Sequence, residues 1–205
     1  MARPRAADHD AHRDRILAAA VRAFAEHGYP SASMSQLAQA CGLSKAGLYH
    51  YYASKEALLF DALDRYTRRL VDLCADVAAR PSPPREAVAR IVRALLHEYR
   101  DSRDYHVALL NDLRHLGAPE QARIRSQQRA VVRTLTAVLA RAWPARLSGP
   151  DASATTMALL GMINFSFAWW RPDGAMSHER FADLVIELWE HGLDGPARAA
   201  LRTGT

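Results

Sequence analysis

Positions 45 to 55 hold Lys45, Tyr49, His50 and Lys55, which bring two ammonium groups, a phenol and an imidazole together with no acidic residue between them. All four can donate hydrogen bonds to anions, and a carboxylate-free strip of donors beside a helix N-terminus suits phosphate oxygens. Lys45, Ala46, Gly47 and Tyr49 fall in the first turns of a predicted short helix. These are the positions that meet base edges when such a helix enters the major groove of DNA. Ala46 and Gly47 would let the backbone come close. With Ser33, Ser35, Gln36 and Ser44 just upstream, they make up the expected DNA-contact set. The competing reading for Tyr49, and more strongly for Tyr52, is packing in a small core.

Local signals say how these residues are positioned. Ser33 is a good N-cap, and Gln36 three residues on completes a capping box for a helix with Leu37, Ala38 and Cys41 on one face. Gly42 can take the left-handed conformation that ends this helix. Ser44 then caps the short helix carrying Lys45, and Ser54 caps a third. Two short helices joined by a tight glycine turn have helix-turn-helix spacing, and the second of them is the one that enters the groove.

The runs Gly42-Leu43-Ser44-Lys45, Leu48-Tyr49-His50-Tyr51-Tyr52 and Ser54-Lys55-Glu56-Ala57-Leu58-Leu59 resemble the tetracycline-repressor (TetR/AcrR) family of one-component bacterial regulators. Ile16 to Ala20, Phe24 and Gly28-Tyr29 look like that family's first helix, so the resemblance covers roughly residues 12–62. Tyr52 stands where the family usually has Phe, and Ala53 where Pro is common. The resemblance implies phosphate contacts at Tyr49, His50 and Lys55, a homodimer, and a body that senses a small molecule.

A chain of 205 residues can form a small headpiece on a larger body, and its net charge of +5 fits a nucleic-acid partner. The excess is spread out: residues 1–60 carry seven Lys/Arg against five Asp/Glu, and the remainder twenty against seventeen. Cys41 and Cys74 form no ligand-spaced pair and read as buried packing residues in a reducing compartment. The N-terminal segment lacks the apolar core of a signal peptide, and the apolar run Met157–Trp170 is shorter than the roughly 20 residues needed to span a bilayer. A cytoplasmic protein with no membrane contact is expected.

Helical periodicity runs throughout, so the expected fold is all-α with about nine helices. The expected domains are a helix-turn-helix headpiece, residues 1–53, and a ligand-binding and dimerisation body, residues 54–205. Helix 1 is placed at about 10–27. Helix 4 runs from Ser54 to about Arg80, on the order of 40 Å, until Pro81, Pro83 and Pro84 break it. Five further helices follow: one past the proline break with Val88, Ile91, Val92, Leu95, Leu96 and Tyr99 on a wide apolar face, one at about 104–116, one opened by Pro119 and reaching Trp143, one from Asp151 to about Trp170, and one capped by Ser177. The 151–170 helix is apolar on most sides, which requires burial on more than one side. Its Ala158, Gly161, Phe165 and Ala168, with Phe181, Leu184, Leu188 and Trp189 of the last helix, are expected to form a four-helix dimer interface.

Asn164 is the polar exception there. It either bonds across that interface or to neighbouring backbone, or it anchors a ligand among Tyr99, Tyr105, Leu109, Leu113, Phe167 and Trp170. Arg103, Arg114 and Arg171 suit bidentate contact with phosphates. Residues 161–177 resemble the corresponding stretch of regulators of fatty-acid, sterol and aromatic-acid catabolism, which implies an acyl-CoA or related carboxylic acid as effector. A multidrug sensor controlling efflux is the alternative. An acyl-CoA-binding enzyme is a remote third reading, since no Gly-x-Ser-x-Gly elbow, P-loop or dinucleotide fingerprint is present. His9 and His12 read as solvated histidines of a polar arm rather than a metal pair, and His106 and His115 as surface or pocket-lining residues. No cofactor or metal is expected.

Overall fold

The computed structural model describes residues 3–147, 149–171 and 174–194, and every regular element among them is a helix. In order these are α1 (Arg3–His27), α2 (Met34–Ala40), α3 (Lys45–Tyr51), α4 (Lys55–Ala79), α5 (Pro84–Asp101), α6 (Arg103–Asn111), α7 (Ala118–Ala142), α8 (Pro150–Asn164) and α9 (His178–Asp194). Short 3-10 turns follow α6 at Leu113–His115 and α8 at Phe165–Ala168.

The chain divides into two compact units, with the divisions falling inside α4 and α7 and at the end of α5. The first unit takes the residues up to Val71 together with Asp101–Gln128. Its core gathers Ile16, Leu17, Ala20, Val21 and Phe24 of α1 with Leu37 of α2, Leu48 of α3, and Leu58, Leu59, Leu63 and Tyr66 of α4, all essentially buried. Helix α6 packs along α1. The second unit takes Asp72–Arg100 and the residues from Arg129 on. Its core is the wide apolar face of α5 (Val88, Ile91, Val92, Leu95, Leu96) with Leu135 and Val138 of α7, Leu159 and Ile163 of α8, and Val185 of α9.

The expected caps are formed. Ser33 Oγ accepts from Gln36 N, and Gln36 Oε1 accepts from Ser33 N at 2.9 Å, which closes the capping box. Ser44 Oγ accepts from Gly47 N at 3.0 Å, and Gly42 sits at φ +67°, the left-handed region that ends α2. Ser33→Ala is expected to cost about 1 kcal/mol of stability. An unchanged urea midpoint would show that the cap contributes nothing.

Three boundaries differ from expectation. Helix α1 starts at Arg3 rather than near residue 10, with Pro4 in the first turn, where a missing N–H costs nothing. Helix α6 stops at Asn111, and the remainder to His115 tightens into a 3-10 turn. Helix α8 ends at Asn164, six residues before Trp170, because the backbone tightens to the 3-10 turn at Phe165–Ala168.

Candidate nucleic-acid interface

Helix α3 turns Leu48 into the core and leaves Lys45, Ala46, Tyr49 and His50 exposed, Tyr49 at 46%. Ser33, Ser35, Gln36 and Ser44 are exposed too. These donors line the outer sides of α2 and α3, held there by the two caps. Gly47 has a second reason to be glycine besides close approach: a Cβ there would lie 3.2 Å from Ser44 Oγ, crowding the cap that orients the helix.

Tyr52 packs inward, 4% exposed. Its hydroxyl explains why a phenol stands where Phe is usual in the resembling family. It donates to Asp61 Oδ2 at 2.7 Å and accepts from Arg13 Nε at 3.1 Å, while Arg65 joins Asp61 to Asp14. Burial and the Asp61 carboxylate push this phenol well above its ordinary range, so the donor keeps its proton. The network ties α1, the end of α3 and the start of α4 into one rigid group.

Lys55 departs from expectation. Its ammonium donates to the carbonyls of Tyr29 at 3.1 Å, Pro30 at 3.2 Å and Ala32 at 3.1 Å, and stands 4.6 Å from the Tyr29 ring centroid. An ammonium has three N–H bonds, and all three are committed to the turn between α1 and α2. In the free chain Lys55 thus makes a structural contact, supplying donors to carbonyls of the turn that lie outside any helix. Cys41, expected to be buried, is half-buried with Sγ 3.5 Å from the Ile16 carbonyl.

The residues expected around an effector fall in both units. Tyr105, Leu109, Leu113, Arg103 and Arg114 belong to the first; Tyr99, Asn164, Phe167, Trp170 and Arg171 belong to the second. In the first unit Leu109 is buried, Arg103 and Arg114 are exposed, and the Arg69 guanidinium lies over the Tyr66 and Tyr105 rings at 5.5 and 5.3 Å. Burial pushes the Tyr105 phenol up to about 12. His106 is buried, with Nδ1 3.2 Å from the Tyr66 hydroxyl, and so belongs to the interior rather than the surface. His115 is half-buried and stacks on Tyr29 at 4.8 Å.

In the second unit Tyr99 is buried, Asn164 and Phe167 are half-buried, and Arg171 is exposed. Trp170 Nε1 donates to the Met176 carbonyl at 3.2 Å, bracing the turn before α9. Burial also pushes the Cys74 thiol up to about 12. A cleft of 310 Å³ opens in the first unit between α1 and α2, lined by Arg22, Glu26, His27 and Gln39 among others. None of the expected effector residues lines it.

On α8 and the turn after it, Ala158, Gly161, Phe165 and Ala168 are exposed, as are Met157, Met162 and Trp169. Phe165 is 63% exposed, and Leu188 on α9 is 57% exposed. The expected assignment changes at Phe181, which is buried within the chain edge-on to Trp169 at 5.0 Å. Leu184 and Trp189 are half-buried. One side of α8 and of the turn after it thus carries an apolar patch that nothing among the described residues covers, and it is the side expected to meet a second copy.

Among the described residues no group of His, Cys, Asp or Glu could hold a metal ion, and no helix is long and apolar enough to cross a membrane.

Residues 16–62 match the model of the bacterial regulatory proteins of the tetR family, and residues 81–193 match the tetracyclin repressor-like C-terminal domain. The HTH-type transcriptional regulator YerO of Bacillus subtilis is 31% identical over 104 residues, which cover 49% of this chain and 35% of that protein. The chain therefore spans about a third of that relative's length. Among solved structures, a TetR-family transcriptional regulator from Bordetella parapertussis superposes with a TM-score of 0.83 at 33% identity, covering 89% of this chain and 94% of that one. AibR, solved with isovaleryl coenzyme A and operator DNA, gives a TM-score of 0.77 at 26% identity, covering 86% of this chain and 97% of that one.

Proposed function

The chain belongs to the tetR family of bacterial regulatory proteins, and from that premise we propose that it is a ligand-released repressor of transcription. Two copies bind a palindromic operator, and an acyl-CoA or related carboxylic-acid metabolite releases them. Residues 1–53 do the DNA binding; residues 54–205 bind the effector and dimerise. The observation that carries the DNA reading is the capped α2–α3 pair with Lys45, Tyr49 and His50 exposed on its outer side. In a dimer the two copies of α3 would enter successive major grooves, about 34–36 Å apart. An effector lowers operator occupancy only as far as it prefers the DNA-incompetent arrangement.

The effector class is supported by AibR, whose crystals contain isovaleryl coenzyme A, and by the exposed guanidinium groups of Arg103, Arg114 and Arg171, which suit phosphates.

Selection of bound fragments from genomic DNA, followed by thioester titration, tests both halves. Lys45→Ala/Tyr49→Ala is expected to lower operator affinity by at least about 30-fold, since two contacts worth roughly 1–3 kcal/mol each are lost. Full affinity in that variant would sink the DNA assignment. Isovaleryl-CoA or a longer acyl-CoA should release the operator, and free CoA should not. Tyr105→Ala and Trp170→Ala, one change in each unit, tell which unit holds the acyl group. Release by cationic drugs with no calorimetric heat from any thioester would overturn the effector class.

A further inference from the structure

The residues just before the family match begin with a cluster that the helix-turn-helix reading does not use. The rings of His9 and His12 lie 5.4 and 5.3 Å from the Tyr51 ring. Tyr51 is in the last turn of α3, and His50 meets the same ring edge-on at 5.6 Å. One tyrosine thus carries three imidazoles, two from α1 and one from α3, and it ties the turn from His9 to His12 to the last turn of α3.

Spacing and charge decide what this cluster can bind. His9 and His12 are three apart, so they share one side of α1. His9 is exposed and His12 half-buried. Arg15 Nη2 lies 3.1 Å from His12 Nδ1. A guanidinium cannot accept, so that ring nitrogen accepts and the imidazole N–H sits on Nε2. Arg15 is itself exposed, with donors to spare. Asp14 is held by Arg65 at 3.0 Å, and Asp10 is turned about 100° from His9 around the helix. His9 and His12, with the Arg15 guanidinium bonded to His12, therefore offer imidazole and guanidinium donors around the same Tyr51 ring that His50 meets.

We propose that His9, His12 and Arg15 form a second phosphate-binding strip, which grips the DNA backbone beside the stretch read by α3. The inference rests on the reading of α3 as the DNA-facing helix and adds to it a contact from outside the matched family segment, which starts at residue 16. Being a backbone contact, it contributes affinity without sequence preference.

The test uses the full chain and a mixed-sequence duplex titrated across salt concentrations, read by fluorescence anisotropy. His9→Ala/His12→Ala is expected to weaken binding about fivefold to thirtyfold, two net hydrogen bonds' worth. Arg15→Gln should reduce the steepness of log affinity against log salt by about one. His9→Gln/His12→Gln keeps a side-chain N–H at both positions and should recover most of the loss. No recovery, at an unchanged melting temperature, would mean that the histidines only pack Tyr51, and the proposal fails. It fails equally if the alanine pair and Arg15→Gln both match wild type in affinity and slope. A wild-type chain that binds no duplex at low salt refutes the regulator reading itself, a result separable from the other two.

Discussion

Gly161→Arg is expected to leave a folded monomer, or aggregates, at micromolar concentration and to abolish operator binding. A Cβ built at Gly161 meets nothing within 4 Å, so the new side chain fits the chain on its own. The residues around it are the exposed Ala158, Met162, Phe165 and Ala168. Small residues there allow close approach of a second helix, and large ones such as Phe165 and Leu188 supply the area that association would bury. An exposed apolar patch of this kind marks an interaction surface. A guanidinium at its centre would be buried without a partner, at a cost of several kcal/mol. That is at least about a 100-fold loss in dimer affinity. Because a monomer holds one recognition helix, binding to a palindrome collapses with it. Sedimentation velocity of wild type and variant decides the matter, with Leu188→Asp as a second probe from α9. A Gly161→Arg protein that still sediments as a dimer, or a wild-type monomer, places the interface elsewhere.

Asp64→Asn is expected to destabilise the protein by about 2–4 kcal/mol, the lower part of the range for breaking a buried ion pair because its partners are partly in water. Asp64 on α4 is 4% exposed and receives Arg123 Nε at 2.7 Å, Gln127 Nε2 at 2.8 Å and Arg68 Nη2 at 2.6 Å. Thr67, one turn from Leu63, adds a hydroxyl bond to Gln127 Oε1. An asparagine of the same shape would aim N–H donors at donors. Burial pushes the Asp64 carboxyl up, but the hydrogen bonds from Arg123 and Gln127 and the charges of Arg68 and Arg123 outweigh it, so its pKa lies below the ordinary value. A depressed carboxyl stabilises the fold fully above its unfolded value, near 4, and that stability disappears as pH falls through the folded value. Urea unfolding should therefore show the wild-type advantage over Asp64→Asn at pH 7, shrinking below pH 4. A gap that stays constant down to pH 3 would mean that the charge contributes nothing. Asp64→Asn/Arg123→Gln should cost less than the two single changes added together.

Sequence reading succeeded where the cause is local. The caps at Ser33 and Ser44 and the left-handed Gly42 depend on residues within a few positions, and they appear as expected. Contacts with distant partners were not legible in it. The carbonyls that hold Lys55 lie 23 to 26 residues upstream, so nothing in its surroundings reveals that its ammonium is already occupied. The same holds for His106, buried by a bond to a tyrosine 40 residues away. The overlong α8 has another cause. Residues 165–170 are apolar apart from Ser166 and contain no Gly or Pro, so periodicity continues past the point where the helix ends. Tyr52 lies between these cases: the change from Phe is visible in the sequence, but its reason needs Arg13 and Asp61 from two other helices.

The three bonds from Lys55 and the Tyr52–Asp61–Arg65–Asp14 network bear on how this protein could be recombined with its relatives. A chimaera cut at residue 53 would transplant a turn whose carbonyls expect an ammonium and leave that ammonium behind on the donor's own body. It would likewise part Arg13 and Tyr52 from their carboxylate. A seam placed after Arg65 carries both sets of partners across together. Modular as the two-part reading looks, the portable unit is a headpiece with the first three turns of its supporting helix attached.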